Sequence, residues 1–231
     1  MAVTNAVDLS KLYTRNFELN DETELVFHQS EIGDVGCVVW DAALVLCKYL
    51  ETRDFDEGNA WHGKTVIDLG SGTGAVGLVA AALGALTVVT DLPEFVPLMD
   101  HNVNYNKSVI AAGSCSAQPL VWGDSSQTQN LKEKFFPQGL DFVTIADCVY
   151  YEESITSLVE TIVELCSDKT TVLCCYEERD IGNKSEMQRK FFEMIGKRFD
   201  VSEVPLAAQD PHFRSPDIHI MKFTPKLCVV R

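Results

Sequence analysis

The chain has 231 residues, 46% of them apolar and 23% charged, which is enough hydrophobic material for a sizeable core in one large domain or two small ones. Nineteen Lys and Arg against 34 Asp and Glu give a formal net charge of −15, which disfavours phosphate backbones and anionic lipid and favours basic protein surfaces, so neither nucleic acid nor membrane is expected as a partner. No apolar run approaches the roughly 18 residues of a membrane span, residues 1–16 lack a signal-peptide core, and the eight cysteines show neither CxxC nor Cys/His spacing, so a cytoplasmic protein with reduced thiols and no metal is expected.

Residues 1–16 carry no clear period and read as a loosely ordered arm. Residues 17–29 (FELNDETELVFHQ) alternate around a polar Asn20-Asp21-Glu22 turn, which predicts an edge hairpin. Trp40 opens a helical segment in which Ala43, Leu44, Cys47 and Leu50 supply the apolar face, so residues 17–50 form a hairpin and helix ahead of the main sheet. Residues 52–63 are polar and read as a linker.

Residues 65–77 (TVIDLGSGTGAVG) are the centre of the pattern: a buried strand, a glycine loop and a helix start. Glycines there let the chain pass through positive φ and let a ligand touch the backbone, and the free N–H groups of the helix start favour an anionic ligand group. From this strand onward, strands and helices alternate: strands near residues 86–90, 117–121, 141–146 and 171–176, with helices over 75–83, 94–107, 154–166 and 185–197. Two last strands, 199–204 and 218–224, have no helix between them and predict an antiparallel addition at one edge. The fold class is therefore α/β: a Rossmann-like, seven-stranded, mostly parallel sheet over residues 64–225, with helices on both faces and an antiparallel last strand, in a single domain spanning 1–231.

In such sheets ligands lie beyond the carboxyl ends of the strands, where Gly70, Ser71, Gly72, Gly74, Asp91, Trp122, Asp147, Tyr150, Tyr151, Glu177 and Arg179 all fall. Gly72 to Gly77 match GxGxxG and Asp91 follows at nearly the dinucleotide spacing, so a nicotinamide-dependent oxidoreductase is a real competitor. Against it, Asp68 lies inside the end of the first strand, and a buried carboxylate suits a ligand with an ammonium or hydroxyl group better than a diphosphate; S-adenosylmethionine fits. Asp91 is placed to accept both ribose hydroxyls and Trp122 to pack on adenine, while Asp147 and Tyr150 suit the reacting end, holding and orienting an amine.

The stretches GCVVWDAAL, TVIDLGSGTGAVGL, VVTDL, LVWGD, ADCVYYEES and CCYEERD, in this order, resemble the seven-β-strand protein-lysine methyltransferases, nearest to the member acting on the AAA-type ATPase valosin-containing protein. The resemblance implies methyl transfer from S-adenosylmethionine, leaving S-adenosylhomocysteine, to lysine in a protein substrate such as valosin-containing protein, by a cytoplasmic monomer. It also implies cofactor contacts at Trp40, the glycine loop, Asp91, Trp122 and Ala146. Asp147 and Tyr150 would match the family's Asp-x-x-Tyr element beside the target lysine, and Glu177 and Arg179 its Glu-x-Arg element.

Overall fold

The computed structural model describes residues 7–32, 34–110, 112–179 and 182–226. It opens with an antiparallel hairpin, β1 (Tyr13–Glu18) and β2 (Glu24–Gln29), whose turn holds Glu22 at φ +68°. The hairpin is a two-stranded sheet of its own, not an edge of the main one. Residues 13–16, assigned to the arm on sequence, are strand, and Val7 and Leu12 ahead of them pack on Cys37, Phe95 and Leu98. Alternation is hidden there because Tyr13, Thr14 and Asn16 lie on an exposed rim, so no buried apolar residue marks the strand before Phe17.

Helix α1 (Asp41–Tyr49) follows, starting at Trp40 as expected. The supposed linker after it is a correction: two single 3-10 turns, Arg53–Phe55 and Asn59–Trp61, drive Phe55 and Trp61 into the core. Trp61 is fully buried against Phe55 and Phe142, and its Nε1 donates to the Leu50 carbonyl at 2.8 Å. Two aromatics alone in a polar stretch have no period, which is why the sequence conceals them.

The main unit runs β3 (Thr65–Leu69), α2 (Ala75–Ala82), β4 (Leu86–Asp91), α3 (Val96–Tyr105), β5 (Ser114–Pro119), α4 (Ser125–Phe135), β6 (Phe142–Ala146), α5 (Ile155–Leu165), β7 (Thr171–Glu177), α6 (Lys184–Ile195), β8 (Phe199–Glu203) and β9 (Ile218–Pro225). The sheet order is β5-β4-β3-β6-β7-β9-β8, with β9 antiparallel to both its neighbours and the other pairs parallel. The last strand thus enters between β7 and β8 rather than forming the edge. Alternate residues feed two cores: Leu173 and Cys175 of β7 join α1, α2 and the hairpin, while Val172 and Cys174 join α4, α5 and α6. Edge strand β5 begins three residues before its predicted start, because an edge needs no continuous apolar run and tolerates Ser114, Ser116 and Pro119.

The hairpin is held to this unit by Asn102 of α3 and by Asn106, the residue that caps the C-terminus of that helix. Each carboxamide accepts from an outward N–H of β2 (His28 and Val26, 2.7 and 2.8 Å) and donates to the carbonyl of the same residue, imitating a neighbouring strand. Among the described residues no helix is long and apolar enough to cross a membrane, and no group of three or more His, Cys, Asp or Glu is placed to hold a metal ion.

Candidate active site

The strand order reverses at β3, which pairs with both β4 and β6, so the crevice beyond its carboxyl end is where a ligand of this architecture sits. The loop there is built on positive φ at Gly70 (+63°), Gly72 (+55°) and Gly74 (+86°). A Cβ on Gly72 would stand 2.5 Å from the Gly36 carbonyl oxygen, and one on Gly70 would stand 2.6 Å from Cys148 Sγ and 2.9 Å from the Trp122 ring. Glycine is therefore required twice over, by conformation and by space.

Two carboxylates fix this loop. Asp91, ending β4, accepts from the Gly72 N–H at 2.8 Å through one oxygen and from the Leu92 N–H at 2.7 Å through the other. Asp68, in β3 and 2% exposed, accepts from the Thr144 hydroxyl at 2.6 Å and the Gly77 N–H at 3.2 Å. Burial pushes both carboxyls up from 3.8 to about 6, against hydrogen bonds that pull them down. Each oxygen has one of these partners and keeps a lone pair for a ligand donor. Ser71 donates to the Asp68 carbonyl and accepts from the Thr90 N–H, stitching the loop to β4.

These residues line a cleft of about 570 Å³ together with Trp40, Ala146, Phe95 and the segment from Val35 to Val39. The structure thus brings Trp40, Asp68, Gly70, Ser71, Gly72, Asp91 and Ala146 together. It places Trp122 beside the cleft rather than in its lining, with the ring against Gly70, and Gly74 at the N-terminal cap of α2. Phe95 and the Val35 to Val39 segment carry no sequence signal of a site, since neither holds a polar residue at a predicted strand end.

A second cavity, about 730 Å³, opens beside the first and shares Val35, Trp40, Asp147 and Tyr150 with it. Tyr151, Tyr176, Glu177, Arg179, Lys184 and Gln188 complete its wall. Asp147 leaves β6 at φ +53°, a conformation unusual for a residue with a side chain, and this turns its carboxylate toward β7. One oxygen accepts from the Glu177 N–H at 3.0 Å and the other from Arg179 at 3.2 Å. Arg179 also pairs with Glu177, its Nε donating at 2.9 Å, and lies 5.0 Å from the Trp40 ring centroid. Burial raises the Asp147 carboxyl above its ordinary value, with the Glu177 N–H and Arg179 pulling it back, and burial also raises the Tyr150 hydroxyl, which therefore stays protonated. The rings of Tyr150 and Tyr151 stand 4.5 Å apart. Carboxylates between aromatic walls form a site for an organic cation. Lys184 and Gln188 carried no sequence signal, since α6 reads only as an amphipathic helix.

A doubly wound sheet with a glycine loop at its switch point, and two cavities meeting across one tryptophan, one carboxylate and one tyrosine, defines an α/β enzyme that brings two substrates together. A lysine methyltransferase family profile matches residues 19–198, and the chain belongs to that family. Among curated relatives, protein N-lysine methyltransferase METTL21A of Danio rerio is 34% identical over 218 residues, 93% of this chain and 89% of the relative. EEF1A lysine methyltransferase 3 of Xenopus tropicalis is 32% identical over 203 residues, 88% and 81% of the two chains. Among solved structures, magnesium protoporphyrin IX methyltransferase of Synechocystis PCC 6803 with bound SAM shares the fold, with a TM-score of 0.52, 16% identity and coverage of 80% and 78%.

Proposed function

We propose that this protein transfers methyl groups from S-adenosylmethionine to the ε-amine of a lysine in a protein substrate, releasing S-adenosylhomocysteine. The observation that carries the reading is that Trp40, Asp147 and Tyr150 wall both cavities, so a donor in one meets an amine in the other across a shared boundary. The cleft fits the cofactor by its donor set. Asp68 faces an amino-acid ammonium, Asp91 accepts ribose hydroxyls, the Gly70, Ser71, Gly72 and Gly74 backbone admits close approach, and Trp40, Trp122 and Ala146 border the rest. Bound there, the cofactor supplies a sulfonium-activated methyl group.

A free lysine has a pKa near about 10.4, so it arrives as an ammonium and must lose a proton before it can accept that methyl. Asp147 receives the ammonium at its Arg179-facing oxygen and then orients the neutral amine. Tyr150, held protonated, narrows the channel. Tyr151, Glu177 and Arg179 form the rim that meets the protein surface. The aromatic faces and Asp147 favour the arriving cation, so the amine gives its proton to solvent before it accepts the methyl.

Valosin-containing protein is the substrate we favour, on the resemblance carried by the six stretches from GCVVWDAAL to CCYEERD taken together; an elongation-factor substrate is the second reading, on the 32% identity to EEF1A lysine methyltransferase 3. The reading includes a cytoplasmic monomer, and the free thiols of the seven described cysteines suit a reducing compartment. Mass spectrometry of proteins methylated when the enzyme and S-adenosylmethionine are added to a lysate lacking it identifies reaction, residue and substrate together. Labelling of valosin-containing protein is expected; labelling of another protein alone replaces the substrate, and no lysine labelling overturns the activity.

A further inference from the structure

In an antiparallel pair, residues alternately turn their N–H and C=O groups toward the partner strand and away from it. Val26 and His28 of β2 turn outward, to Asn106 and Asn102, and the Leu19 N–H bonds the Thr23 carbonyl on the inner set. By the register Phe17↔Leu25 and Arg15↔Phe27, Thr14 and Asn16 of β1 also turn outward. The edge of β2 is capped by two asparagines. Along the outer edge of β1, among the described residues, only the Glu18 carbonyl is taken, by Lys48 Nζ at 2.6 Å, and Thr14 and Asn16 are exposed.

Two clefts follow this strand and meet at Arg15. One runs past Phe17 with Leu44 and Lys48 of α1 as its far wall; the other runs from Thr14 past Asp41 to Glu177 and Arg179. Glu177, Arg179 and Trp40 also wall the second cavity, so the strand edge is continuous with the site of the amine. Arg15 Nη1 is buried at the junction and has no hydrogen-bond partner among the described residues. Unpaired edge groups in register, an orphaned donor beside them and a path to the reacting end are what a strand-forming ligand needs.

We propose that β1 is the docking edge for the protein substrate: an extended segment flanking the target lysine adds to the hairpin as a third strand, bonds the main chain of Thr14 and Asn16, places an acceptor on Arg15 and delivers the lysine across Glu177 and Arg179 to Asp147. The proposal rests on the lysine-methyltransferase reading. A second copy of this chain is a poor occupant, because both would carry a net charge of −15.

The probe is a pool of short synthetic peptides, each with one central lysine, methylated with tritium-labelled S-adenosylmethionine. Thr14→Pro removes the outward N–H and leaves the inner hairpin bonds, whereas Thr14→Ala keeps it. Expected are wild-type kinetics for Thr14→Ala, and for Thr14→Pro a KM raised about tenfold at nearly constant kcat, with cofactor affinity and unfolding midpoint unchanged. Hydrogen exchange on the wild-type enzyme is expected to slow at the Thr14 and Asn16 amides when labelled peptides bind, a readout that does not depend on the variant folding. Wild-type KM in folded Thr14→Pro, no slowing of those amides, or labelling of folded lysate proteins but of no peptide overturns strand addition. Failure to label either peptides or lysate proteins overturns the underlying activity instead.

Discussion

Asp91 and Asp147 are both half-buried carboxylates at strand ends, yet Asp91 lines the first cleft alone while Asp147 stands where it meets the second cavity, and they answer to different experiments. Asp91 must be ionised to accept two hydroxyls, and its carboxyl is pushed up to about 6 from 3.8. Cofactor affinity is therefore expected to be constant above that value and to weaken as pH falls through about 6, by up to about tenfold per pH unit for each proton taken up. Asp91→Asn is expected to bind weakly and without Asp91's part of that dependence, which calorimetry across pH measures. For stability the sign is reversed. A carboxyl raised in the folded state stabilises below 3.8 and loses that contribution as pH rises through about 6, so the unliganded protein is under strain at neutral pH. Asp147→Ala is expected to keep cofactor affinity within about twofold and to lose methyl transfer by about 100-fold or more, read as tritium incorporated; normal turnover would reassign the reacting end. Asp68, Asp91 and Asp147 were all legible in the sequence because strand ends mark themselves by a polar residue after an apolar run. The ion pair of Asp147 with Arg179 was not, since 32 residues separate them and only the parallel register of β6 and β7 brings them together.

At the scale of elements, the buried parallel strands β3, β4, β6 and β7 announce themselves as apolar runs, and the helices between them follow from their period. What the sequence hides are the pieces that pack without periodicity: the exposed starts of β1 and β5, polar helix α4 and the turns carrying Phe55 and Trp61. Helix α4 has only Thr128 and Leu131 buried, and it is set by Asp124 accepting from the Gln127 N–H at 3.0 Å rather than by an apolar stripe. Trp61 plugs the space between the end of α1 and β6, so Trp61→Ala is expected to cost about 3–5 kcal/mol in urea unfolding. Cofactor affinity of the folded variant should not change, because Trp61 lines neither cavity. A loss below about 1 kcal/mol would mean that the segment is a linker after all.

The whole molecule is strongly acidic, with a formal net charge of −15, which draws a basic protein surface. The kcat/KM for a basic protein substrate is expected to fall as salt rises from about 10 mM to about 0.15 M, as the screening length shrinks from about 30 to about 8 Å, while cofactor affinity moves little. Equal effects on both would place the charge effect in the cofactor cleft. Arg179 adds a consequence of its own. Spread over Trp40 and bound to Asp147 and Glu177, it occupies the seat that an incoming ammonium needs. On the proposed function, Arg179 would be an internal competitor that the incoming amine has to displace. A peptide with arginine in place of its target lysine offers the same guanidinium from outside, and it is expected to act as a dead-end inhibitor competitive with substrate: the seat accepts it, and no methyl can leave.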